Sequence, residues 1–114
     1  MSNFFLTTGV QARFCKGNAE AQGHLGFDYA NGQGEPKDYV KAAYWFMKSA
    51  AQGYAEAQYN LGSLYAHGQG VPKDYAKAIY WLKKAAEQGN KTAKRDLQRA
   101  EREDRAQQRR RPRP

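Results

Sequence analysis

Small and apolar residues recur along this chain at helical spacing. Ala21, Leu25 and Tyr29 stand at i, i+4 and i+8, and so do Ala42, Phe46 and Ala50, which places each trio on one face of an α-helix. The pattern predicts a first helix from about Ala19 to Ala30 and a second from about Asp38 to Gln52. Between them, Gly32-Gln33-Gly34-Glu35-Pro36 combines residues that tolerate positive φ with one that fixes φ near −65°. Asp38 stands where a carboxylate can accept the orphan amide hydrogens of the second helix, and Gly53 supplies the left-handed residue that ends it. Asn18 and Asn90 each follow a glycine and are suited to cap the next helix, whereas Tyr54 holds the same place and is a poorer cap.

The whole pattern then returns. Ala19 to Tyr54 laid over Ala55 to Asn90 gives two 36-residue blocks with no gap and 23 identical positions. Retained positions include Leu25-Gly26, Gly32-Gln33-Gly34, Pro36-Lys37-Asp38-Tyr39 and Tyr44-Trp45, which recur as Leu61-Gly62, Gly68-Gln69-Gly70, Pro72-Lys73-Asp74-Tyr75 and Tyr80-Trp81. Such self-similarity is the mark of a repeat array. A glycine inside a helix costs about 1 kcal/mol relative to alanine, so Gly26 and Gly62 imply a neighbouring backbone in close contact with each. Residues 1–18 read as an N-terminal flanking half-repeat, with Phe5 to Lys16 as one more helix of the second type and Gly17 in register with Gly53 and Gly89. Residues 91–108 read as a C-terminal capping helix, with Ala93 and Leu97 in register with Ala57 and Leu61, and residues 109–114 as an Arg/Pro-rich disordered tail. The fold expected is all-α, a short right-handed solenoid of αα-hairpins with about six helices.

Quoted residue by residue, the first block reads Ala19, Ala21, Gln22, Leu25, Gly26, Tyr29, Gly32, Gly34, Asp38, Lys41, Ala42, Trp45, Lys48, Ala50 and Gly53. The second reads Ala55, Ala57, Gln58, Leu61, Gly62, Tyr65, Gly68, Gly70, Asp74, Lys77, Ala78, Trp81, Lys84, Ala86 and Gly89. This string resembles the Sel-one-like repeat family, an αα-hairpin relative of the tetratricopeptide repeat. The resemblance implies a scaffold that assembles protein complexes, in signalling, secretion, cell-envelope or host-contact settings. A cysteine-rich branch of that family carries one disulfide per repeat and is associated with binding penicillin-like compounds. Cys15 is the single cysteine here, so that activity is not carried over.

Composition and charge narrow the function classes. A chain of 114 residues makes one modest core or one solenoid segment. With 40% hydrophobic residues and a mean hydropathy of −0.98, the core must draw on alanine and aromatic side chains. No stretch approaches the length of an apolar membrane span, and the Phe4-Phe5-Leu6 cluster lacks the basic start of an export signal. A cytoplasmic location is the default expectation. The two blocks carry seven basic and seven acidic residues, so the net +8 lies outside them, mostly in the segment ending Arg109-Arg110-Arg111-Pro112-Arg113-Pro114. Arginine clusters bind phosphates and acidic partners. No aromatic residue interleaves this one to stack on bases, so a solvated, disordered tail is the first reading of it, contact with RNA or an acidic protein the second, and a membrane-surface or targeting role the third.

A protein or peptide partner is expected on the inner surface, which the first helices of successive blocks line in a solenoid. Beside the packing face runs a stripe of Glu20, His24, Phe27 and Asn31, and in the second block Glu56, Asn60, Ser63 and His67. Three of these four pairs differ between blocks while the packing positions are kept; the alternative is ordinary solvated variation. Tyr44, Trp45, Tyr80 and Trp81 form either an aromatic recognition surface or inter-helix packing. Phe4, Phe5, Leu6, Val10 and Phe14 suggest an uncovered N-terminal end suited to homodimerisation or docking.

Catalysis is not expected. His24 and His67 are out of register, no metal-ligand spacing exists, and Cys15 reads as an inert buried thiol. The Gly-Gln-Gly turns lack the preceding strand and further glycine of a nucleotide loop. No catalytic residue, cofactor or metal is implied. A protein-binding adaptor is the leading reading. A basic-tailed chain binding RNA or an acidic partner, and a small inhibitor or regulator of a target protein, are the alternatives.

Overall fold

The computed structural model of the chain describes residues 18–34 and 36–110. Among the described residues there are five helices and no strand: α1 over residues 18–31, α2 Tyr39–Ala51, α3 Ala55–His67, α4 Tyr75–Glu87 and α5 Lys91–Arg110. The expected flanking helix and its cysteine, and the apolar N-terminal end proposed for homodimerisation, lie outside them.

Each boundary follows from local chemistry. Asp38 and Asp74 hold extended backbone, and each accepts a hydrogen bond through Oδ1 from the amide of Lys41 or Lys77, at 3.1 Å in both cases. The amides of the same two aspartates donate to the carbonyls of Tyr29 and Tyr65 at 2.8 and 2.9 Å, tying each second helix to the first helix of its block. Asn90 caps α5 by accepting from the Ala93 amide at 2.9 Å, while Tyr54 makes no side-chain cap. Asn18 is the first described residue of α1 and is itself helical. α5 extends beyond the expected Gln108 to Arg110. Arg109 and Arg110 are therefore a last helical turn and not part of a disordered tail, as arginine's helix propensity and its favourable place near a helix C-terminus allow. Arg111 and Arg113 lie outside the described residues.

The helices stack in chain order, α3 against α2, α4 against α3 and α5 against α4. Alanines at 42, 50, 57, 78, 85 and 93 are fully or almost fully buried and keep the helix axes close, while Phe46, Leu61 and Leu82 are the largest fully buried apolar side chains. Each large apolar side chain so buried contributes about 1.5–3 kcal/mol. The identical glutamines act as struts. Gln52 Nε2 donates to Gln22 Oε1 at 2.6 Å and Gln88 Nε2 to Gln58 Oε1 at 2.8 Å, and Gln58 Nε2 donates in turn to the Ala50 carbonyl at 3.2 Å.

The glycines locate the closest approaches. A Cβ on Gly26 would lie 2.7 Å from the Phe46 ring, and one on Gly62 would lie 2.8 Å from Leu82 Cγ and 3.2 Å from the Ala78 carbonyl oxygen. The intimate neighbour is thus chiefly a side chain of the partner helix, not the passing backbone the sequence suggested. Gly70, at φ +74°, does meet backbone: a Cβ there would stand 2.2 Å from the Tyr39 carbonyl oxygen of the preceding block.

One predicted packing face is only half realised. Ala57, Leu61 and Tyr65 are buried in α3, but in α1 Ala21 is exposed and Leu25 and Tyr29 are partly covered. α3 lies between α2 and α4 in the stack and is packed from both sides. α1 buries Ala19, Gly23 and Gly26 instead.

Candidate functional site

The first helix of each block and the capping helix, α1, α3 and α5, share one face, and two grooves open on it. The first holds about 240 Å³ between Gly23, His24 and Phe27 of α1 and Tyr54, Glu56, Ala57 and Asn60 at the start of α3. Its origin is a pair of departures from the repeat. Gly23 stands in register with Tyr59, and Tyr54 with Asn90. With no side chain on Gly23, the ring of Tyr54 lies over it, so close that a Cβ would come within 2.7 Å. In the second block the ring comes from the helix itself. Tyr59 donates its phenol hydrogen to Asp96 Oδ2 of α5 at 3.0 Å.

Three rings and a carboxylate surround the first groove. Phe27 is 47% exposed, unusual for phenylalanine in a small protein. His24 meets the Tyr54 ring edge-on at 6.4 Å between centroids, and the Tyr54 hydroxyl donates to Glu56 Oε2 at 3.2 Å. Burial pushes the Tyr54 phenol above its ordinary value, and the neighbouring carboxylates of Glu56 and, more weakly, Glu20 push it the same way. Tyr59 is raised too, first by burial and then by Asp96.

The second groove, about 320 Å³, lies between α3, the start of α4 and α5. Ser63 and Ala100 leave it open, standing 36 residues after Phe27 and Leu64, both larger side chains. Leu82 and Ala66 line it, and its charged residues mix Lys73 and Arg99 with Asp96 and Glu103.

The predicted stripe is therefore divided. His24, Phe27, Glu56 and Asn60 come together around the first groove, and Ser63 and His67 line the second. Glu20 is exposed and close enough to act on Tyr54. Asn31 and His67, in register, both turn back on their own helices, to the carbonyls of Phe27 and Ser63 at 2.8 Å. Sequence reasoning missed Tyr54 and Gly23 in one groove and Lys73, Asp96 and Arg99 in the other. The signal available was the coupled exchange of Gly23 and Tyr54 for Tyr59 and Asn90.

The aromatic pairs of the second helices split between the two readings offered for them. Trp45 and Trp81 are partly buried, while Tyr44 and Tyr80 are 53% and 54% exposed. Within each pair the rings meet edge to face at 5.2 and 5.0 Å, and the Lys48 and Lys84 ammonium groups lie 5.0 and 5.2 Å from the tyrosine centroids. Val40, Tyr44 and Met47 together leave an apolar strip along the outside of α2.

Among the described residues no group of three His, Cys, Asp or Glu could hold a metal ion. No helix among them is long and apolar enough to cross a membrane.

A comparison with curated proteins gave no match. Several solved structures are similar, among them the following two. One is a protective antigen present in uropathogenic Escherichia coli strains and displaying an SLR fold, 42% identical over 68% of this chain with a TM-score of 0.66. The other is a Sel1 repeat protein from Oxalobacter formigenes, 39% identical over 72% of this chain with a TM-score of 0.69. The matched region spans only 17% of the first structure and 34% of the second. The Sel1 repeat family matches at residues 19–54 and 55–90, the two blocks read from the sequence. Sel1 repeats are generally protein–protein interaction modules of a helical scaffold type. With both repeats matched and the helical-repeat fold shared with these structures, the chain belongs to the Sel1 repeat family.

Proposed function

We propose that this chain is a non-enzymatic scaffold or adaptor that binds a protein or peptide through the face of α1, α3 and α5. The carrying observation is that residues of the predicted stripe surround two grooves on that face, one with Phe27 held 47% exposed at its side. Leaving a phenylalanine in water forgoes about 1–2 kcal/mol of burial, which an apolar partner group would recover. Glu20, His24, Phe27, Asn31, Glu56, Asn60, Ser63 and His67 are the candidate contacts. Asn60 and Ser63 are partly buried, and the other six are exposed.

Capture of a partner from source-cell lysate tests this reading. The full chain is compared with a Phe27→Ala/Asn60→Ala variant and with a chain ending at Gln108, each washed at low and high salt. The scaffold reading expects a protein retained by the full chain and the shortened chain through high salt, and lost from the double variant. Retention by the double variant with loss from the shortened chain transfers the function to the basic end. Beyond Gln108 stand Arg109, Arg110, Arg111 and Arg113 with no acidic residue, and binding to RNA or an acidic partner there would weaken steeply with salt.

A further inference from the structure

The overall charge balance of the repeats conceals a partition between helix types. α1 carries Glu20 and Asp28, α3 carries Glu56, and neither contains a lysine or arginine. All seven basic residues of the two blocks lie elsewhere: Lys37 and Lys73 in the turns, Lys41 and Lys48 in α2, Lys77, Lys83 and Lys84 in α4. The first groove is lined by residues of α1, α3 and Tyr54, which stands between α2 and α3; Glu56 is the carboxylate among them, and the Glu20 carboxylate acts on Tyr54 from α1.

The groove chemistry points the same way. His24, Phe27 and Tyr54 present aromatic rings, Glu56 a carboxylate and Asn60 a side-chain amide, beside Gly23 and Ala57. The negative faces of such rings attract a cation within about 6 Å of their centroids, and a planar guanidinium can stack on a ring while donating to a carboxylate. Neutral aliphatic groups use only the ring area. The net positive charge of the chain opposes a cation at long range, but screening confines that field to about 8 Å at physiological salt, so the carboxylate at contact distance prevails.

We propose that the groove between α1 and α3 is a pocket for a cationic side chain, arginine before lysine, presented by a peptide segment of a partner protein. This deepens the reading of the α1, α3 and α5 face as a binding surface and rests on it. The second groove mixes Lys73 and Arg99 with Asp96 and Glu103 and carries no such preference.

The test is an NMR titration of the full chain with two short capped glycine-flanked peptides, one centred on arginine and one on citrulline, its neutral near-isostere. The arginine peptide is expected to shift Gly23, Phe27, Tyr54 and Asn60 saturably. The citrulline peptide is expected to bind at least about fivefold more weakly, since a lost cation–π contact and charge pair together exceed roughly 1 kcal/mol. Glu56→Gln in the protein should weaken the arginine peptide by a similar factor, and Phe27→Leu should weaken it while keeping the apolar volume; Lys83→Ala, exposed on α4 and outside both grooves, should not. Unchanged circular dichroism melting shows that the variants remain folded. Equal shifts by both peptides at the first groove overturn the cation assignment while leaving the binding face standing. Shifts by neither peptide anywhere on α1, α3 or α5 overturn both. Sedimentation of the full chain and of the chain ending at Gln108 adds one further outcome. Self-association that requires both the arginine end and Glu56 would make a second copy the occupant and overturn assignment to a partner protein.

Discussion

Gly70 and Gly34 occupy the same place in successive blocks, with φ of +74° and +79°, yet alanine should be tolerated very differently at the two. Both substitutions force an L side chain into the left-handed region, at about 1–2 kcal/mol each. At Gly34 no described residue lies within 4 Å of the new Cβ, so the backbone cost is the effect expected there. At Gly70 the Cβ would stand 2.2 Å from the Tyr39 carbonyl oxygen and 2.8 Å from the Val40 nitrogen. Carbon and carbonyl oxygen make contact near about 3.3 Å, so the turn or the start of α2 must yield by roughly an ångström. Neither is a flexible side-chain end, and overpacking of this kind adds about 1–3 kcal/mol. At about 4 °C per kcal/mol for a chain this size, Gly34→Ala should lower the melting temperature by about 4–8 °C and Gly70→Ala by about 8–20 °C. Circular dichroism melts at matched pH and concentration measure both. Equal losses would refute the argument that the Gly-Gln-Gly turn of one repeat is wedged against the second helix of the repeat before it.

The capping, core and titration arguments yield three more expectations. Asp74→Ala removes the acceptor for the Lys77 amide and should cost about 1 kcal/mol in urea denaturation, whereas Asp74→Asn should cost only a few tenths. Gly62→Leu forces a side chain against Leu82 and the Ala78 carbonyl and should destabilise by about 3 kcal/mol or more; a fall in melting temperature below about 2 °C would count against close contact there. The phenols of Tyr54 and Tyr59 are raised above 10.0, so the folded chain holds those protons more tightly than the unfolded one. Their contribution is complete below pH 10 and is lost as pH climbs through the raised values. Tyr59→Phe should lose about 1 kcal/mol at neutral pH with the Asp96 hydrogen bond and show a shallower alkaline decline than the unsubstituted chain; parallel decline in both proteins would exclude the Tyr59 contribution.

The fold was legible because the repeat supplies its own register. Once Ala19 to Tyr54 is laid on Ala55 to Asn90, the caps at Asp38 and Asp74 and the turn glycines follow from local chemistry, and they stand where local chemistry puts them. Burial of Ala21, Leu25 and Tyr29 was not legible in the same way. Spacing specifies which residues share a face, but coverage of that face depends on which helices lie beside it. The same limit applies to the grooves. The stripe of eight residues follows from helical period, whereas its division depends on where the Tyr54 ring falls and on the volume missing at Ser63 and Ala100. Sequence marks Tyr54 only as a weak cap, whereas its side chain is a wall of the first groove.

Positions that differ between repeats are where function is sought in such an array, but they are not of one kind. Phe46 and Leu82 differ and are both buried, each lying against a glycine of its own block, so their difference concerns packing. Asn31 and His67 differ in chemistry yet bond the carbonyl at the same register position, so their difference leaves the helix end alike. Gly23 with Tyr54, against Tyr59 with Asn90, is a coupled exchange: both arrangements supply one ring to the junction between first helices, from the connecting residue in one case and from the helix in the other. A tyrosine at 23 would collide with Tyr54, and glycine at 59 would leave Asp96 without its phenol donor. The two members of each pair are therefore tied to one another: one ring stands at each junction while the residue that provides it changes, so a substitution at either place has to be matched at the other.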